Sequence, residues 1–131
     1  MRSLFAHARV FAVLLLSAGA VQAGSPAARQ TDPGHPTFHF GSSIVAGSSN
    51  VLINGLPASR LGDPTVCPQI CVIPLPVAHS PGSILSASGS VFVNGVPAAR
   101  AGDTIFEPGT PGACQPAHPI SSGSVNVFIG N

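Results

Sequence analysis

The chain has 131 residues, with 15 Gly, 14 Pro and no Trp or Tyr, and the part past residue 23 is the size of one domain. Past residue 23 the only charges are Arg29, Arg60, Arg100, Asp32, Asp63, Asp103 and Glu107. That balance excludes a nucleic-acid footprint, which needs clustered Lys and Arg, and it leaves too few carboxylates for an acid–base pair with spares.

Residues 1–23 read as a signal-peptide pattern. Arg2 and Arg9 form a positive start, Phe11 to Leu16 an apolar run, and Val21-Gln22-Ala23 a cleavage-like site. The run is too short for a transmembrane anchor. A start placed too far upstream is the other reading. Residues 24–131 are then one small domain, too short for a large core and in need of a staple.

Internal repeats organise this domain. Pro26-Ala27-Ala28-Arg29 with Asp32, Pro57-Ala58-Ser59-Arg60 with Asp63, and Pro97-Ala98-Ala99-Arg100 with Asp103 share the pattern Pro-Ala-x-Arg-x-x-Asp. Each Arg and Asp is expected to stabilise its turn rather than perform chemistry. A second element runs from Ile44 to Gly55, Ile84 to Gly95 and Ile120 to Asn131. Its alternating apolar positions predict short strands. The Gly-Ser stretch inside it predicts a hairpin turn, and Asn54-Gly55 and Asn94-Gly95 tolerate positive φ. The connectors after Asp63 and Asp103 are Pro-rich and predict loops. No segment past residue 23 predicts a helix. The fold class is all-β: a small set of hairpins with pseudo-threefold internal repeats.

His39 lies five residues before Ile44, and His79 five before Ile84. In the third unit Cys114 and His118 occupy the corresponding connector. If the units converge on one axis, His39, His79, Cys114 and His118 converge as well. Three His and one Cys make a closed tetrahedral set suited to structural zinc. His35 is the alternative to His39. Cys67 and Cys71, four apart and without a clear repeat partner, fit a small disulfide in an oxidising compartment; in a cytoplasm the reading is free thiols or a second, weak metal pair.

These residues resemble the PAAR-repeat family. Val93-Asn94-Gly95, Pro97-Ala98-Ala99-Arg100 and Gly102-Asp103 carry the motif, and the ending from Cys114 to Asn131 is similar to the family's terminal Cys–His–Pro–Ile–Gly–Ser pattern. The resemblance spans roughly residues 25–131. It implies a β cone that caps the blunt, trimeric VgrG-type spike of a type VI secretion system through its base. It implies one zinc near the tip, held by His39, His79, His118 and Cys114. It further implies recruitment of effector or adaptor proteins, and mechanical piercing of a target membrane for which rigidity matters more than lipid affinity. Assembly in the cytoplasm and secretion into the target cell follow from it. The signal-like N-terminus points instead to an exported, zinc-stapled binding module. An enzyme is not expected, because the predicted ligand set is saturated and Glu107 is the only spare carboxylate; nor is a small-molecule substrate.

Overall fold

The computed structural model describes residues 24–36, 39–72, 76–108 and 115–131. Residues 1–23 and Cys114 lie outside them. Among the described residues there is no helix, and all regular structure is short strand: β1 (Ser25–Pro26), β2 (Ser43–Ile44), β3 (Leu52–Ile53), β4 (Leu56–Pro57), β5 (Pro64–Val66), β6 (Ile70–Cys71), β7 (Val77–Ala78), β8 (Gly82–Ile84), β9 (Phe92–Val93), β10 (Val96–Pro97), β11 (Thr104–Phe106), β12 (Ala117–Pro119) and β13 (Phe128–Ile129).

Three equivalent antiparallel pairs form one layer. Pro57 faces Leu52, Pro97 faces Phe92 and Pro26 faces Phe128. The first two close around Asn54-Gly55 and Asn94-Gly95. Asn54 and Asn94 both sit at φ 53°, with Gly55 at 80° and Gly95 at 75°. Positive φ at both central residues is the signature of the type I′ turn, whose twist matches paired strands. The third pair joins β1 to β13, two strands distant in sequence, and completes the threefold pattern.

This differs from the expected hairpins. Ile44 does not fold back on Val51 across the Gly-Ser stretch; it pairs with Thr65 in another sheet. Ser48 Oγ instead accepts the Val51 N–H at 3.0 Å, so the stretch is a side-chain-capped bend. Ser88 and Ser124 repeat the arrangement. These serines also join the units. Ser48 Oγ donates to Asn94 Oδ1, Ser124 Oγ to Asn54 Oδ1 and Ser88 Oγ to the Gly130 carbonyl.

The Pro-Ala-x-Arg segments meet on the pseudo-threefold axis. The Ala28 N–H donates to the Ala99 carbonyl, Ala99 to Ser59 and Ser59 to Ala28, at 2.9–3.0 Å. Three chains this close leave room only for small side chains, and Ala27, Ala28, Ala58, Ala98 and Ala99 are all buried. Ser59 is the exception: its buried Oγ has no hydrogen-bond partner. A buried, unpaired hydroxyl costs free energy. Ser59→Ala is therefore expected to stabilise the fold by about 1 kcal/mol, read as a higher denaturant midpoint with an unchanged slope.

Each repeat aspartate organises its turn. Asp32, Asp63 and Asp103 each accept the N–H of the arginine three residues earlier at 2.7 Å. Each also receives the guanidinium at 3.0–3.2 Å. The carboxylate replaces a backbone acceptor that the turn lacks, while the arginine arm is partly solvated. Asp103→Ala should cost about 1–3 kcal/mol and Arg100→Ala about 0–1 kcal/mol. Equal losses in denaturant titrations would show that the ion pair, not the turn, matters.

Beyond the axis a curled antiparallel sheet runs in the order β12-β11-β8-β5-β2. Its gap is spanned by Pro33, which bridges Ser43 and accepts the Ser121 N–H at 3.0 Å. Ile44, Ile84, Ile105 and Ile120 fill the interior with Ala28 and Ala99. The connectors expected to be loops therefore begin or end as strands. Pro64 opens β5 and Pro119 closes β12, positions where a missing N–H is tolerated.

Candidate metal centre

Strand alternation selects the side chains that line the far end of the curled sheet. In Thr65-Val66-Cys67 and in Ile105-Phe106-Glu107 the outer residues are buried and the middle one is exposed, the period of a pleated strand. Cys67 and Glu107 each lie four residues after a repeat aspartate. Both thus point inward, beneath the isoleucine layer. His39 and His79 enter from the connectors that precede Ile44 and Ile84, and His118 enters from β12 opposite Ile105.

One ligand atom from each of His39, Cys67, His79 and Glu107 lies within 4.8 Å of the others, and all four residues are buried. His39 Nδ1 is 3.6 Å from Cys67 Sγ and 3.5 Å from Glu107 Oε2. Zinc–ligand bonds of about 2.0–2.3 Å set tetrahedral edges of about 3.3–3.8 Å, so these spacings suit one such ion. The hydrogen bonds agree. His39 Nε2 donates to the Gln115 carbonyl at 2.6 Å, which leaves the Nδ1 lone pair facing the cluster. His79 Nδ1 is buried without a hydrogen-bond partner, a state that coordination would relieve.

The electrostatics follow from burial. Burial, helped by the neighbouring His118, lowers the His39 pKa and favours the neutral, ligating form. Burial pushes the Cys67 thiol up, so a metal must displace its proton. Burial also pushes the Glu107 carboxyl up, but hydrogen bonds from His118 and Ser42 outweigh it and hold the group below its ordinary value. Those bonds are 2.9 Å from His118 Nε2 to Oε2 and 2.9 Å from Ser42 Oγ to Oε1.

Of the residues expected from sequence, the structure brings His39, His79 and His118 together. The His39 ring centroid is 4.7 Å from that of His79 and 3.8 Å from that of His118. His118 Nδ1 accepts the His35 N–H at 3.2 Å, so its Nε2 proton is the one given to Glu107. His35 contributes through its backbone here. Cys114 is outside the described residues. The Cys67–Cys71 disulfide does not form: Cys67 is free, and Cys71 is disulfide-bonded, with its Sγ 2.9 Å from His79 Nε2. Cys71 lies in β6 against β7, and its Sγ faces His79 instead. Sequence reasoning gave Cys67 no repeat partner and Glu107 no role. Their shared offset from Asp63 and Asp103 was the signal that identifies them.

A buried His-Cys-His-Glu group of this kind can hold one metal ion and is compatible with structural zinc. The family model of the PAAR motif matches three overlapping stretches, residues 13–68, 33–105 and 76–131. No curated protein matches the chain. The three matches together cover the three Pro-Ala-x-Arg turns that meet on the axis, and the chain belongs to the PAAR-motif family, a structural component of type VI secretion spike tips.

Proposed function

We propose that this chain caps a trimeric, VgrG-type spike through its hairpin layer and carries one structural zinc at the opposite end. The observation that carries the reading is a ring of exposed side chains. Leu52, Phe92 and Phe128 occupy equivalent positions in the three strand pairs and are 58%, 55% and 55% exposed. Large apolar groups repeated around a pseudo-threefold axis match the blunt end of a threefold needle, and burying them on a permanent partner removes an aggregation hazard. The zinc staples connectors that contribute little packing of their own. The role is structural, with effectors or adaptors carried on the assembled tip. Loading then takes place in the cytoplasm before secretion, with residues 24–131 as the working unit.

Co-purification with a trimeric spike protein tests the reading. Wild-type chain is expected to be retained, and Phe92→Asp with Phe128→Asp to lose at least about 100-fold in affinity, since each buried aromatic contributes roughly 1.5–3 kcal/mol. Undiminished retention would remove the hairpin layer as the docking face. One observation favours an exported module instead: Cys71 is disulfide-bonded, and such bonds persist in oxidising compartments. A native chain beginning near Gly24 by mass spectrometry, with no spike bound, would select that alternative.

A further inference from the structure

One member of the donor cluster, His79, has a sulfur against its ring. β6 and β7 set the two side chains next to each other: Ile70 pairs with Ala78 and Cys71 with Val77, and the His79 N–H donates to the Gln69 carbonyl at 3.3 Å. Cys71 is buried and disulfide-bonded. Its Sγ lies 2.9 Å from His79 Nε2. The other ring nitrogen, Nδ1, is buried and has no hydrogen-bond partner, although His79 belongs to the donor group with His39, Cys67 and Glu107.

A neutral imidazole carries one proton, and the partner of one nitrogen decides which nitrogen holds it. A disulfide sulfur has no proton to give, so it can only accept. Against it the favoured form of His79 has the proton on Nε2 and a lone pair on Nδ1, the nitrogen that lacks any other partner. His39 has the same arrangement, with Nε2 on the Gln115 carbonyl at 2.6 Å and Nδ1 facing Cys67 and Glu107. A thiol differs, because it also donates. Reduction therefore admits the other form of His79, with S–H toward Nε2 and the proton on Nδ1, where it blocks coordination.

We propose that Cys71 is a positioning residue for the metal centre: its disulfide fixes the form of His79 that ligates through Nδ1, so zinc affinity depends on the redox state of that bridge. The step balances. A dithiol gives two electrons and two protons, the S–S bond breaks, Cys71 and its bridge partner become thiols, and the dithiol closes to its own disulfide. The inference rests on the metal reading above and needs no spike protein.

Full-length chain, with and without treatment by a trialkylphosphine, is titrated with zinc against a chromophoric chelator. The phosphine breaks the same bond, takes up the oxygen of water and leaves no thiol to compete for the metal. Reduced chain is expected to bind zinc about 10–100-fold more weakly, the usual loss when an outer partner of a ligating histidine is removed. Cys71→Ala should bind as weakly as reduced chain and no longer respond to the phosphine. Lost support for β6 would lower affinity too, so a second readout follows the ring itself. In metal-free chain with nitrogen-labelled histidine, at mildly alkaline pH, the His79 signals should place the proton on Nε2 before reduction and on both nitrogens in exchange after it. A merely structural bridge would leave those signals unchanged. Equal zinc affinity in both states would overturn the proposal, as would a proton on Nδ1 in the oxidised chain. Tighter binding after reduction would also overturn it, since Cys71 would then be a ligand itself. Zinc bound in neither state would instead remove the metal reading on which the proposal rests.

Discussion

Removing the metal with a chelator is expected to lower the thermal midpoint of this chain by roughly 15–30 °C. The size follows from mass action. A ligand present at about 1,000 times its dissociation constant stabilises the native state by about 4 kcal/mol, and each kcal/mol is worth about 4–8 °C in a domain of this size. Besides the strand pairings and the Cys71 disulfide, this donor cluster is what holds the connectors. Cys67, His79 and Glu107 come from separate strands and loops, and their polar atoms face one another rather than a packed apolar core. Cys67→Ala and His39→Ala should each abolish stoichiometric zinc in elemental analysis. Glu107→Gln should weaken it, because it removes the ligand charge and leaves one amide oxygen where His118 and Ser42 now bond separate carboxylate oxygens. Zinc uptake should release a proton, since burial holds the Cys67 thiol protonated in the metal-free chain. Full zinc content in Cys67→Ala combined with its loss in Cys114→Ala would return the site to the ligands expected from the family resemblance.

Gly82→Ala is expected to be nearly as damaging, at about 3 kcal/mol or more. A Cβ at this position would overlap the Phe106 carbonyl oxygen and come within 2.6 Å of Glu107 Cγ and 2.8 Å of Glu107 Cα. Two of those three atoms belong to backbone in neighbouring chain, which cannot rotate away. Gly82 also lies opposite Thr65 in β5, so β8 is held on both sides. Relief requires β8 and β11 to separate, and that carries Glu107 out of the cluster. The variant should therefore lose stability and zinc together. A Gly82→Ala chain with wild-type denaturant midpoint and full zinc would show that the β8–β11 contact is looser than the geometry indicates. Gly55→Ala is a useful contrast, because a Cβ there meets no atom within 4 Å and only its positive φ is strained.

The locally encoded features were legible in the residues. Asn-Gly at 54–55 and 94–95 specifies a turn through backbone preference alone. Pro-Ala-x-Arg-x-x-Asp specifies a turn closed by its own side chain, because Asp can reach an N–H three residues back. The register of His39 and His79 against Ile44 and Ile84 followed from counting along repeats. Non-local pairing was harder to read. The partner of Ile44 is Thr65 rather than Val51, and neither periodicity nor turn chemistry distinguishes them across a Gly-Ser bend. The Pro content of the connectors hid β5 and β11, although Thr65/Cys67 and Ile105/Glu107 alternate as strand residues do.

The sequence by itself determined the number of units, their turns, the all-β class and the family, since each depends on residues close together in the chain. Tertiary structure alone decided how the units close and which donors share a void. β13 meets β1, far from it in sequence, and so completes the threefold set that the two turn-closed pairs begin. Cys67 and Glu107 join His39 and His79 because inward-facing positions on separate strands converge where the sheet curls around its axis. His118, also expected among the ligands, gives its Nε2 proton to Glu107, whose Oε2 also faces His39 Nδ1. Convergence of this kind is a property of packing, and spacing along one chain does not contain it.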